Sequence, residues 1–498
     1  MKQTIGIIVF LLVACCSSSF GADALIDAAN KATIEYRQKL DNLARWCDEN
    51  NFQDDAIAIR NSVVPKASDK IYIPKLPLDM QSSVKKSAQN DEIDPQLKKN
   101  RDDWSKLRKE YAKAMFTFAK SAAKQDRGSL AMQMALAALH ADPDHSQIRR
   151  VLGFTQYKGQ WRTPWETEQL KKGFVDHPKF GWIPSKHVQR YEAGERPTDS
   201  GKWVSEQQDR INHSGDIRQS WVIESEHYTL RTNHSIEEGV RVSRKLEHLY
   251  RAWKLLFYRF MASDIALASM FDAKSSAPKP LKKHGVYLFR DKQNYIDSLV
   301  KEEPFVAKTI GLYVSSSRKC FFFVHTPKQV RGPDDDHPED IERTFYHEAA
   351  HQLFYECRTF NNPIAEKKNY WIIEGIAMFV ETLHHEGDYY VFGGNNDIRV
   401  EIARNRSQQN GFTISFADLT KLGRSDFQSH KQIVELYTHC AGVAFFMMNY
   451  DDGAYRDITV HFLRLVYEGK DTIKTLELLT GRSNKELDEM YKEFMSKN

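Results

Sequence analysis

Two stretches in the C-terminal half restrict the folding of this chain more than anything else in it. Residues 341–356 read IERTFYHEAAHQLFYE, with no proline or glycine. Phe345, Ala349 and Leu353 recur every four residues, which predicts a helix with one apolar stripe. Residues four apart on a helix stand one turn above each other, so His347 and His351 aim two imidazoles at one point. Neutral histidine nitrogens suit zinc, which is bound tetrahedrally. Glu348 lies beside His347, where its carboxylate can accept a proton from water. A catalytic zinc needs a third protein ligand and one open position. Trp371-Ile372-Ile373-Glu374-Gly375-Ile376-Ala377 starts a second apolar run, and Glu374 follows His351 by 23 residues. That interval fits one loop and the start of an antiparallel helix. Glu381, seven residues further, falls on the same helical face and can hydrogen-bond a ligand imidazole. His384, His385, Glu356 and Glu366 remain alternative third ligands. Read as a continuation of the second helix, His384 and His385 diverge by about 100°, so at most one points inward.

The pairing of His347-Glu348-Ala349-Ala350-His351 with Trp371-Ile372-Ile373-Glu374-Gly375-Ile376-Ala377 resembles the gluzincin clan of zinc metallopeptidases, which includes thermolysin-like enzymes and zinc aminopeptidases. The resemblance implies His347, His351 and Glu374 as zinc ligands and Glu348 as general base, hydrolysing peptide bonds with a zinc-activated water. It also implies an oxyanion-stabilising Tyr or His on a later helix. Tyr437 is that candidate and His439 the reserve, in the run Leu436–Phe446. Gly311–Val314 precedes the first helix by about 35 residues, where the clan holds substrate backbone on an edge strand. The Gly-x-Met-Glu-Asn motif of zinc aminopeptidases is absent, which points to an endopeptidase. The chain from about residue 200 onward also resembles a family of uncharacterised exported bacterial proteins that join N-terminal helical repeats to a peptidase-like domain. That likeness rests on the Trp-rich connector, Ser225-Glu226-His227-Tyr228 and the two zinc motifs. The alternative is a non-catalytic helical scaffold carrying a relict peptidase fold. The complete set His347, Glu348, His351 and Glu374 favours the enzyme, because decay usually removes the base or a ligand.

The other end of the chain reads as an address. After Lys2, Ile5–Ala14 is an apolar run of ten residues, short for a bilayer span of about 20. Small residues follow, as in a secretory signal peptide over residues 1–22. Cleavage near Gly21 or Ala22 releases a soluble protein; Leu12-Val13-Ala14-Cys15 also resembles the bacterial lipoprotein box, which implies a lipidated Cys15 and membrane attachment. Both readings place the protein outside the cytoplasm, periplasmic or extracellular.

Between these ends the expected architecture is α+β. Residues 23–155 form a helical region, with helices over 24–51, 102–124 and 129–140 and an irregular connector over 66–96. Ala131, Ala135 and Ala138 followed by Ala141-Asp142-Pro143 resemble one tetratricopeptide-type hairpin, and this region can seat a protein partner. Residues 156–217 read as a Trp/Gly/Pro-rich connector of buried aromatics in loops. Residues 218–340 form the α/β part of a peptidase-like domain, with strands over 221–225, 227–231, 285–289, 311–314 and 320–324 and a helix over 236–257. Residues 341–498 form the helical zinc-site and C-terminal part. Pro333–His337 reads as a solvated acidic loop.

Charge and cysteine use exclude several other classes. The 71 Lys and Arg against 67 Asp and Glu give no basic excess for nucleic acid. A mean hydropathy of −0.59 excludes a polytopic membrane protein. No GxSxG, phosphate-binding GxxxxGK[ST] or GxGxxG pattern occurs. With the leader removed, Cys47, Cys320, Cys357 and Cys440 remain. They have room for one disulfide, of a pairing the spacing leaves open.

Overall fold

The computed structural model describes residues 24–76, 94–198, 200–261, 264–275, 282–325, 338–357, 362–409 and 411–497. The expected signal peptide with Cys15, the acidic run 333–337 and most of the connector expected over 66–96 lie outside them. The chain is a mixed α+β fold, with a helical N-terminal region and a C-terminal part of helices and sheet. Among the described residues no helix is long and apolar enough to cross a membrane.

The helical region starts with α1 (Ala24–Glu49) and α2 (Gln53–Arg60). Tyr36, Leu40, Ala44 and Cys47 form the buried stripe of α1 at helical spacing. Where an irregular connector was expected, β1 (Lys70–Pro74) is a strand; it pairs antiparallel with Tyr389–Gly393, so that Tyr72 faces Val391. The N-terminal region is thereby hydrogen-bonded into the C-terminal half. Next come α3 (Pro95–Lys124) and α4 (Gly128–Ala141). Asp94 caps α3 by accepting from Gln96 N and Leu97 N, and Pro95 occupies the first helical position. Buried alanines on both helices, Ala112, Ala119, Ala131, Ala135 and Ala138 among them, let the two axes approach closely.

The Trp-rich connector is a tandem repeat, not a set of loops. Three hairpins, β2 (Thr155–Tyr157) with β3 (Gln160–Arg162), β4 (Phe174–His177) with β5 (Gly181–Pro184), and β6 (Glu195–Pro197) with β7 (Trp203–Ser205), follow in order. Each leads into a short helix: α5 (Pro164–Lys171), α6 (Val188–Glu192) and α7 (Glu206–His213). Trp161, Trp182 and Trp203 recur every 21 residues. The hairpin glycines Gly159, Gly181 and Gly201 have φ of +78°, +68° and +80°, which a side chain would strain. These strands are short and mostly polar, so the repeat is visible chiefly through its Gly and Trp spacing.

The expected strands all form, within a residue or so. A five-stranded sheet has the order β11 (Gly311–Val314), β12 (Lys319–Phe323), β10 (His284–Phe289), β9 (Tyr228–Thr232), β8 (Trp221–Glu224). The β10 strand is parallel to both neighbours, and the two outer pairs are antiparallel. Helix α8 (Ile236–Leu256) covers this sheet, with Val240, Val242, Leu246, Leu249 and Trp253 buried. Then follow α9 (Pro338–Glu356), α10 (Tyr370–Glu381), the hairpin β13 (His384–Glu386) and β14 (Tyr389–Gly393), and α11 (Ile398–Gln408). The chain closes with α12 (Ile433–Gly453), α13 (Arg456–Tyr467) and α14 (Asn484–Lys497). Leu487, Tyr491 and Phe494 seal α14 onto the core. No disulfide forms among the four cysteines: Cys47, Cys320, Cys357 and Cys440 are all free thiols.

Candidate metal centre

The first half of the centre is carried on α9. Phe345, Ala349 and Leu353 are buried, which turns the opposite side of the helix, with His347 and His351, toward α10. Every residue of α10 is buried, including Glu374. Its start is held by Asn369, whose side chain donates to Asp471 Oδ2 (2.8 Å) and to Thr472 O (3.0 Å). Asn369 has a φ of +56°, a left-handed conformation that asparagine tolerates better than most residues. The next turn depends on Gly375: a Cβ there would stand 2.9 Å from Cys440 O and 3.3 Å from the Ala444 Cβ on α12. Trp371 fills the space between Phe416 and Phe462.

These helices bring His347, His351 and Glu374 together as a group able to hold a metal ion, with their ligand atoms all within 4.8 Å of one another. His347 Nε2 lies 3.1 Å from His351 Nε2 and 3.4 Å from Glu374 Oε2, and His351 Nε2 lies 3.7 Å from the same oxygen. Three corners of a tetrahedron with metal–ligand bonds near 2.1 Å are about 3.4 Å apart. The donor set therefore fits a small tetrahedral ion without rearrangement.

Around these three atoms the charges are arranged in pairs. Burial opposes protonation of His347, but hydrogen bonds to Glu374 and Glu381 outweigh it and hold the imidazole well above its usual range. Burial likewise works against ionised Glu374, and the facing histidines overcome it, keeping the carboxylate ionised. Glu381 Oε1 sits 2.6 Å from His347 Nδ1, the position expected for a residue that orients this ring. Burial raises Glu381, yet His347, Arg399 and Arg343 bring it down to about 2. The Nε atoms of Arg343 and Arg399 both donate to Glu381 Oε2, at 3.2 and 3.0 Å, and Arg343 also pairs with Asp397.

Glu348 is placed by a contact that no local pattern foretells. Its Oε2 accepts the backbone N–H of Tyr313, on the edge of β11 away from β12, at 2.7 Å. Burial raises its pKa against the opposing pull of His347, His351 and that N–H. Tyr437, on α12, packs its ring edge-on against Phe427. Burial, then the charges of Glu374, Cys440 and Glu348, push its hydroxyl far up, so it stays a protonated donor near both carboxylates. Tyr370 also shares a hydrogen bond with Glu374.

The remaining candidates lie elsewhere. His439 is buried with Nε2 3.0 Å from Ile414 O and its ring against Tyr491. His384 and His385 are on strand β13, not on a continued helix; His384 contacts Thr382 O and Glu386, and His385 faces His248. Glu356 pairs with His284 at 2.9 Å, and Glu366 is exposed. Cys357 lies beside Met261, and burial pushes its thiol up to about 12. Tyr313, Tyr370, Arg343 and Arg399 were missed in the sequence. Only Tyr370, four residues before Glu374, carried a usable signal.

Residues 341–463 match the model of a family described as Protein of unknown function (DUF1570). The matched stretch runs from within α9 to within α13, so it contains all three residues of the metal-binding group. No curated protein matches the chain.

Proposed function

We propose that this chain is an exported zinc-dependent metallopeptidase of the gluzincin type, acting as an endopeptidase. The observation that carries the reading is the near-tetrahedral spacing of His347, His351 and Glu374 with Glu348 next to them. Zinc, when bound there, supplies Lewis-acid polarisation of the scissile carbonyl and acidification of water. Glu348 Oε2 is occupied by the Tyr313 N–H, which leaves Oε1 to take the proton of the attacking water and pass it to the leaving amine. Burial raises the pKa of Glu348, and a base closer to neutral returns a proton more readily. The Tyr437 hydroxyl donates to the developing oxyanion. Glu381 keeps His347 in the tautomer whose Nε2 can ligate. The edge strand β11, paired only with β12 among the described residues, offers the backbone groups that remain beside the engaged Tyr313 N–H to an extended peptide. Export through the leader, with Cys15 lipidation as one route to the membrane, and a protein partner on α1–α4 belong to the same proposal.

The test is metal analysis of the purified mature protein together with hydrolysis of a quenched peptide library. About one zinc per chain is expected, lost in His347→Ala. Glu348→Gln should retain zinc and lose hydrolysis by roughly 10²–10⁴-fold. A protein that binds no zinc after reconstitution, or a Glu348→Gln variant of full activity, refutes the proposal.

A further inference from the structure

We propose that the cavity between the N-terminal helices and the turn joining α12 to α13 is a binding site for a small carboxylate, received by the guanidinium of Arg456. The cavity has a volume of about 140 Å³ and is enclosed by α1, α3, α4, β1, the segment 63–68 and the α12–α13 turn. None of these residues belongs to the metal centre.

Arg456 is 8% exposed. Its Nε donates to Met448 O at 3.1 Å and its Nη1 to Gln133 Oε1 at 3.0 Å. Both acceptors are uncharged, and among the described residues no carboxylate pairs with it and Nη2 makes no hydrogen bond. The two nearby acids are engaged elsewhere. Asp457 accepts Ser129 N and Leu130 N at the start of α4, and Asp452 pairs with Lys66 at 2.8 Å. Asp457 and Asp452 act on Arg456 only at a distance, against the stronger effect of burial, and a carboxylate in direct contact would offset more of that cost.

The lining has the matching charge. Arg37, Lys66, Lys70 and Arg456 face the cavity against the single acid Asp452. Lys66 is engaged by Asp452 and Lys70 by Glu386, while Arg37 and Arg456 meet only uncharged acceptors, and of these two Arg456 is the buried one. The Thr33 and Tyr111 hydroxyls, 3.0 Å apart, add polar contacts, while Ile26, Ala29, Met115 and Met134 supply an apolar wall. The N–H groups of Arg456 not taken by Met448 O and Gln133, with apolar side chains in the same lining, suit a monocarboxylate. A cavity of about 150 Å³ holds a six-atom ring, so the volume here suits about six heavy atoms.

The experiment is isothermal titration of the mature, full-length protein with butyrate, and separately with succinate and inorganic phosphate. Saturable butyrate binding is expected, weakened at least tenfold in Arg456→Gln. Ala137→Leu narrows the cavity from α4 and leaves the guanidinium in place; it should abolish butyrate binding with unchanged circular dichroism. If Arg456→Gln does not fold, Ala137→Leu alone decides. No saturable heat with butyrate, equal binding in either folded variant, or binding of phosphate in preference to both carboxylates overturns the proposal.

Discussion

Replacing Glu381 by Gln tests whether the centre is built to hold a metal or is only a buried cluster of ion pairs. Glu381 Oε1 is 2.6 Å from His347 Nδ1, and its other oxygen is held by Arg343 and Arg399. That double clamp leaves the carboxylate one orientation, which fixes the proton on Nδ1 and frees Nε2 for the metal. A glutamine keeps the shape but loses the charge, and its amide can present N–H₂ to the ring as readily as oxygen. Losing such an orienting partner typically costs 10–100-fold in metal affinity, or about 1.4–2.8 kcal/mol. Competition with a chelator of known affinity measures this directly. Zinc affinity in Glu381→Gln should fall by that factor, whereas Glu348→Gln, which alters no ligand or orienting group, should bind within a few-fold of the parent. The metal-free protein gives a second readout: the His347 imidazole, held up partly by Glu381, should titrate lower in the variant by NMR. Unchanged zinc affinity in a folded Glu381→Gln protein would refute the orienting role.

Other consequences are open to simpler measurements. Gly375→Ala pushes a methyl group against Cys440 O and Ala444, and overpacking of this kind should cost about 1–3 kcal/mol in urea denaturation; a neutral result would mean that α10 and α12 can separate freely. Burial, only partly offset by Ile414 O, lowers His439 to about 4. The unfolded chain takes up this proton near pH 6.5 and the folded chain only near 4, so stability is lost as pH falls across that window. The loss from this residue is up to about 3 kcal/mol, and a His439→Gln variant should show a correspondingly flatter profile. An identical slope in the variant would remove His439 as the cause. Thiol titration of the denatured mature protein, cleaved after both leader cysteines, should find four free groups, and reductant should leave its melting temperature unchanged; two groups would mean that a disulfide forms.

The legible part of the structure was the part written in local periodicity. The helix around His347 and His351 and the core face of α8 repeat at 3.6 residues, the helix of Glu374 is a continuous apolar run, the strands of the central sheet are short runs rich in β-branched and aromatic residues, and all were expected close to where they stand. Glu381 was anticipated for the same reason, since a spacing of seven returns to one helical face. His384 and His385 were assigned to a continued helix because an apolar run does not mark its own end; Thr382 closes it and the chain enters β13. The three hairpins escaped because strands such as Thr155–Tyr157, Gln160–Arg162 and Glu195–Pro197 are short and largely polar, with no apolar run to mark them.

The identity and spacing of the side chains able to hold a metal were therefore readable along the chain, because a helix converts spacing into direction without outside help. The tertiary structure alone decided what surrounds them. The Tyr313 N–H on Glu348, the two arginines on Glu381, the pairing of β1 with β14 and the contact of Arg456 with Gln133 all join residues far apart in the chain. Such contacts have no local signature, because backbone groups are alike at every position and a charge finds its partner only when packing brings the two together.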